Sequence, residues 1–181
     1  MKKRILWVTR TAVVLALLVT VQTVTKSFGQ LVTGSCVNLI LALSVLLAGL
    51  PCGLVVALVS PVLAFLLGIA PQILTVPAIM AGNGVYVLLL HFIADRNGKS
   101  VWRQALAWLV SATAKFGVLY GIVSGLICGL LADRLLAAGV LKMPMLQVLP
   151  TTFGFLQLLT ALIGGGVALG VLPVVKRAIR E

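Results

Sequence analysis

Apolar residues fall in long runs along this chain, separated by short polar or basic stretches. A membrane-crossing helix needs about 20 predominantly apolar residues. The runs cover about 5–24, 36–50, 53–70, 74–94, 104–132 and 150–175. They predict an all-α membrane protein in which 1–181 forms a single domain of six transmembrane helices. The first run follows Lys2, Lys3 and Arg4, as in a signal peptide. It is long, and no small-x-small cleavage site follows it, so it is read as a helix. Pro51 marks an uncharged tight reversal between the second and third runs. Residues 25–35, 95–103 and 133–149 are expected as the longer loops.

Composition agrees with that reading. The chain is 61% hydrophobic and 9% charged, whereas a soluble globular domain is about 45–50% apolar and ~25% charged. An ordinary water-soluble domain and a disordered chain are both excluded. The net charge is +11, from 14 Lys and Arg against three acids. These cations lie in short clusters between apolar runs, so they read as topology signals rather than as a nucleic-acid surface. With six spans, one side holds both termini and the loop after span four. Its cations are Lys2, Lys3, Arg4, Arg10, Arg96, Lys99, Arg103, Lys176, Arg177 and Arg180. The other side holds Lys26, Arg134 and Lys142. That bias predicts cytoplasmic termini in a multi-pass protein of the plasma membrane. Trp7, Trp102 and Trp108 are expected near the cytoplasmic interface.

Chemistry is sparse. The acids Asp95, Asp133 and Glu181 all lie outside the apolar runs, which leaves no paired carboxylates or intramembrane carboxylate relay. Cys36, Cys52 and Cys128 are scattered and read as packing residues, so no metal or other cofactor is expected. Gly98-Lys99-Ser100 has the ending of a P-loop, but Ile93 occupies the position of the required first glycine. The chain carries no ATPase motif of its own and is not expected to be an enzyme.

Lys115 is the one cation deep in a span, ~16 Å into the fifth helix, where a charge costs at least ~2.5–3.5 kcal/mol on insertion scales. No acid is placed to pair with it. It either has a structural role, faces a hydrated cavity or an anionic ligand, or meets a partner subunit. Asn83, flanked by Gly82 and Gly84, matches its depth on span four. Tyr86 follows one turn later, and His91 lies near the end of that span. Asn38, Gln157 and Thr160 are further polar residues at membrane depth, and together these groups are candidates to line one cavity opening outward. Residues 28–30 with Thr33 and Gly34, and residues 68–72, are candidate lids. Two small-residue ridges stand out. One is Gly117, Gly121, Gly125 and Gly129, of which Gly117 lies about 160° from Lys115 around the helix. The other is Ala12, Ala16 and Thr20. Each serves either internal packing or docking to another subunit.

Ala12-x-x-x-Ala16, Gly29-Gln30-x-x-Thr33-Gly34-x-x-x-Asn38, Ser60-Pro61 and Val76-Pro77 leading to Gly82-Asn83 carry a resemblance over essentially the whole length. The chain resembles the substrate-binding S components of energy-coupling factor (ECF) transporters, which take up vitamins into prokaryotes. The resemblance implies a solute captured from outside, against Gln30, Gln72, Asn83, Lys115 and Gln157. It further implies docking through Ala12 and Ala16 to a coupling transmembrane subunit that holds two ATPase subunits. If Lys115 lines the site, charge favours an anionic vitamin such as pantothenate, folate or niacin, while few aromatics at outer depth disfavour a stacked flavin. The competing expectation is a small autonomous transporter or channel, alone or as an oligomer.

Overall fold

The computed structural model describes residues 2–69, 72–95 and 100–180, and the side chains within 5–178 of that set. The side chains of Lys2, Lys3, Arg4 and Arg180, and residues Ala70, Pro71, Arg96, Gly98, Lys99 and Glu181, lie outside the described residues. Among the described residues every regular element is a helix: α1 (Lys2–Thr25), α2 (Gln30–Ala48), α3 (Leu50–Leu66), α4 (Val76–Ile93), α5 (Val101–Tyr120), α6 (Ala132–Ala137), α7 (Met143–Thr152) and α8 (Phe155–Arg180). Short 3₁₀ turns precede α2 and α4, and α5 runs on as a π-helix over Gly121–Leu130. Among the described residues, five stretches are long and apolar enough to cross a bilayer: Ile5–Phe28, Gln30–Ala48, Ile73–Ile93, Val101–Leu130 and Met143–Ala178. The apolar helix α3, at 17 residues, is shorter than these. The chain is a multi-pass helical membrane protein.

Several boundaries differ from the expected ones, for local reasons. Helix α2 begins at Gln30 rather than near 36. Gly29 takes φ 86° and turns the chain, after which the Gly29 carbonyl accepts from Thr33 N at 3.1 Å. The hydroxyl of Thr33 donates to the Thr25 carbonyl at 2.8 Å and ties α2 to the end of α1. Thr33 and Gly34 are therefore helical rather than part of a lid. Reversal between α2 and α3 occurs at Gly49, with φ 91°. Pro51 sits instead in the first turn of α3, where a missing N–H costs nothing. The expected loop 133–149 contains α6 and most of α7, and the last long stretch breaks at Phe153 and Gly154 before α8 starts. Ser100 is the N-cap of α5: its hydroxyl accepts from Arg103 N at 3.3 Å.

Helix α2 packs against α1, α3, α4 and α8. Its approach to α8 requires glycine. A Cβ on Gly164 would stand 2.8 Å from Asn38 Cβ and collide with the Ser35 carbonyl, and one on Gly34 would stand 2.8 Å from Thr160 Cγ2. Gly82 similarly admits the Leu119 side chain between α4 and α5. Such small-residue contacts supply close van der Waals packing where lipid gives helices no hydrophobic drive to associate. One core gathers Leu41, Val56, Tyr86, Val87 and Ala161. A second gathers Leu119, Val123, Ile127, Leu149 and Phe153, where α7 lies against the π-helix. Lys115, Leu119, Val123 and Ile127 are buried, while the glycine ridge occupies the exposed side. Gly117, Gly121 and Gly125 have nothing within 4 Å of an added Cβ. That ridge does not pack inside the chain. Ala12, Ala16 and Thr20 are likewise exposed on α1.

These contacts set apart two glycines of the same chemistry. Gly164→Ala is expected to lose about 1–3 kcal/mol of stability through overpacking. Gly117→Ala is expected to be neutral or to gain about 0.5–1 kcal/mol from the removal of a mid-helix glycine. Unfolding of both variants in detergent, followed by circular dichroism, checks this.

Candidate functional site

Lys115 is 3% exposed on α5, and its Nζ lies at the meeting of three helices. It donates to Asn38 Oδ1 of α2 at 2.5 Å and to Asn83 Oδ1 of α4 at 2.7 Å. The orientation of Asn38 is fixed independently, because its Nδ2 donates to the Gly34 carbonyl at 2.9 Å and to Thr160 Oγ1 at 3.3 Å. The amide oxygen must then face the lysine. Thr160 in turn donates to the Gln157 carbonyl at 3.0 Å, which brings α8 into the network. On the remaining side Nζ stands 5.5 Å from the centroid of the Tyr86 ring. Two amide oxygens and an aromatic face are electron-rich neighbours suited to an ammonium.

The magnitudes show what these neighbours would contribute to an ammonium held here. Insertion costs ~2.5–3.5 kcal/mol. Each hydrogen bond to a charged group contributes ~1.5–3 kcal/mol, and a cation–π contact ~0.5–2 kcal/mol. The two amides and the ring together match the lower bound of that cost. An ammonium has three donors, and the two asparagines use only two of them.

Lys115 and both asparagines line a cavity of about 100 Å³. Its wall also includes Gln22 of α1, Gln30, Thr33 and Gly34 of α2, Ser60 and Pro61 of α3, Phe153, and Gln157 of α8. Four residues singled out by sequence, Gln30, Asn83, Lys115 and Gln157, are thus brought to one cavity. Gln30 lines it from an exposed position at the start of α2. The side chain of Gln157 donates to the Thr152 carbonyl at 3.4 Å, bridging the break between α7 and α8. Gln72 is not part of the lining; its Nε2 is directed at Met145 Sδ of α7. Of the expected lid residues, Ile69 reaches the cavity and Gly68 accepts from Lys26 Nζ at 2.6 Å. Tyr86 lies outside the lining, beneath the lysine, with its hydroxyl unpartnered among the described residues. Trp108 is half-buried against α8, donating from Nε1 to the Leu162 carbonyl at 2.9 Å.

Sequence reasoning missed Gln22 and Ser60. Both are buried on the cavity wall, and neither Gln22 Oε1 nor Ser60 Oγ has a hydrogen-bond partner among the described residues. The available signal was the presence of uncharged polar groups inside apolar runs. Gln22 and Ser60 are each a single small or uncharged polar group in an apolar run, and such groups also occur on lipid-facing or packed helix surfaces. No family model, curated protein or solved structure matches this chain.

The network makes a quantitative demand. Asn83→Leu is expected to cost about 1.5–3 kcal/mol by removing an acceptor from a buried ammonium. In a Lys115→Met background the same change is expected to cost less than half as much, because the amide then has no ammonium to hold. Denaturant unfolding of the four proteins in detergent checks this, and additive effects would contradict the clamp.

Proposed function

We propose that this protein is a solute-binding membrane subunit that captures a small micronutrient for an ATP-driven importer. The observation that carries the reading is the lysine clamp: a buried Lys115 amino group, held by two amide oxygens with no acidic partner among the described residues, on the wall of a cavity formed by several helices. Polar groups within a membrane bundle are costly and mark ligand or ion pathways by default. Convergent polar groups in a concave site between helices are the usual form of a small-molecule site. The cavity volume, about 100 Å³, is below the ~300–1,000 Å³ of sites for drug-sized ligands. It favours a small anion of niacin size over one as large as folate.

In this reading α3 is the sixth crossing, both termini are cytoplasmic, and the protein sits in a prokaryotic plasma membrane. The resemblance to ECF S components supplies the partners: a coupling subunit docked on the exposed Ala12 and Ala16, and two ATPases. The chain itself performs no catalysis. A second reading, an autonomous oligomeric transporter, draws on the outward-facing glycine ridge, which suits self-association. Uptake into liposomes holding this chain alone would favour it.

The direct test is to purify the chain from cells grown in rich medium, denature it, and identify released compounds by mass spectrometry. One anionic compound in stoichiometric amount is expected from wild type, with at least a tenfold loss in Lys115→Met. Release of nothing, after growth with a vitamin mixture as well, would overturn solute capture. Ala12→Leu with Ala16→Leu is expected to retain the compound and to abolish copurification with ATPase subunits.

A further inference from the structure

Two of the polar places on the cavity wall leave hydrogen-bonding capacity open. The Lys115 clamp is formed by α2, α4 and α5. The other place lies on α1 and α3, where Gln22 and Ser60 are 8% and 1% exposed. Gln22 Oε1 and Ser60 Oγ have no partner among the described residues, although both side chains line the cavity. A buried polar atom left unpaired costs about 1–3 kcal/mol, and native structures rarely leave one so without a reason. An amide oxygen only accepts, so Gln22 calls for a donor. The Ser60 hydroxyl both donates and accepts. Next to it, Pro61 also lines the wall and brings no N–H to compete for the site.

Resting on the reading of the cavity as a solute site, we infer that its ligand is a small anion with a hydrogen-bond donor at its far end. The anionic group meets the third N–H of Lys115. The distal hydroxyl or N–H meets Gln22 Oε1 and Ser60 Oγ. One molecule thereby bridges the α2–α4–α5 clamp to the α1–α3 wall. Class specificity follows from both ends. A simple alkanoate satisfies the lysine and leaves Gln22 unpaired, whereas a neutral diol satisfies the glutamine and leaves the ammonium without a counter-charge.

The test uses ω-hydroxyalkanoates of three to six carbons as probes, each compared with the unsubstituted alkanoate and the diol of equal length. Binding to the full chain, freed of copurified solute, is measured by isothermal titration in detergent. The best hydroxyalkanoate is expected to bind about tenfold tighter than its alkanoate, as one hydrogen bond allows, and the diol weaker still. In Gln22→Leu with Ser60→Ala, the hydroxyl advantage is expected to fall below twofold while the alkanoate binds as to wild type. That retained binding also shows the variant is folded. Equal binding of alkanoate and hydroxyalkanoate to wild type would overturn the inference, as would an advantage that survives in the double variant. If no probe binds and the solute released on denaturation lacks an anionic group or a distal donor, the inference fails and solute capture stands. No probe bound and nothing released would overturn both.

Discussion

The arrangement of the bundle follows from one constraint: a lysine side chain is held inside a membrane protein by neutral partners. Lys115 obliges α2 and α4 to present amide oxygens to one point on α5. Asn38 meets that obligation only because its own nitrogen is anchored on Gly34 and Thr160. The anchoring in turn requires α2 and α8 to approach closely, which Gly34 and Gly164 permit. A local electrostatic cost is thereby spread over four helices, and the cavity lies beside the clamp, walled also by α1 and α3.

Packing and polarity divide the surface of α5 and its π-helix. The buried side carries Lys115 and then Leu119, Val123 and Ile127, against which α7 and Phe153 close. The opposite side shows a strip of glycines to its surroundings. Lys26 on Gly68 and Gln72 on Met145 join the connecting segments to one another at sites other than the clamp. The cavity and the exposed glycine strip consequently lie on different faces of the same bundle.

Much of this was legible in the sequence, because membrane helices announce themselves by length and apolarity. The depths of Lys115 and Asn83 could be counted from the ends of their runs, but their hydrogen bond, and that of Lys115 to Asn38, could not. Polar residues at helix ends were harder to place. The stretch 25–35 looked like a loop, since nothing in its composition shows that Gly29 turns and that Thr33 then caps the preceding helix. Residues 133–149 looked like a loop for a similar reason. Their helices are held by packing on the π-helix, a contact between distant segments that no local pattern encodes. Gln72 was misplaced for want of the same information. Ser60 and Gln22 become meaningful only when the cavity reveals that they lack partners.

The central claim is that a charged Lys115 is clamped by two amides in the bilayer and leaves one donor for a solute. Solid-state NMR of the full chain in lipid, with ¹⁵N at lysine Nζ and ¹³C at asparagine Cγ, addresses it directly. The account expects an ammonium resonance for Lys115 correlated with the Cγ atoms of both Asn38 and Asn83, and shifted on addition of a small carboxylate. An amine resonance, or an ammonium with no correlation to either asparagine, would contradict it.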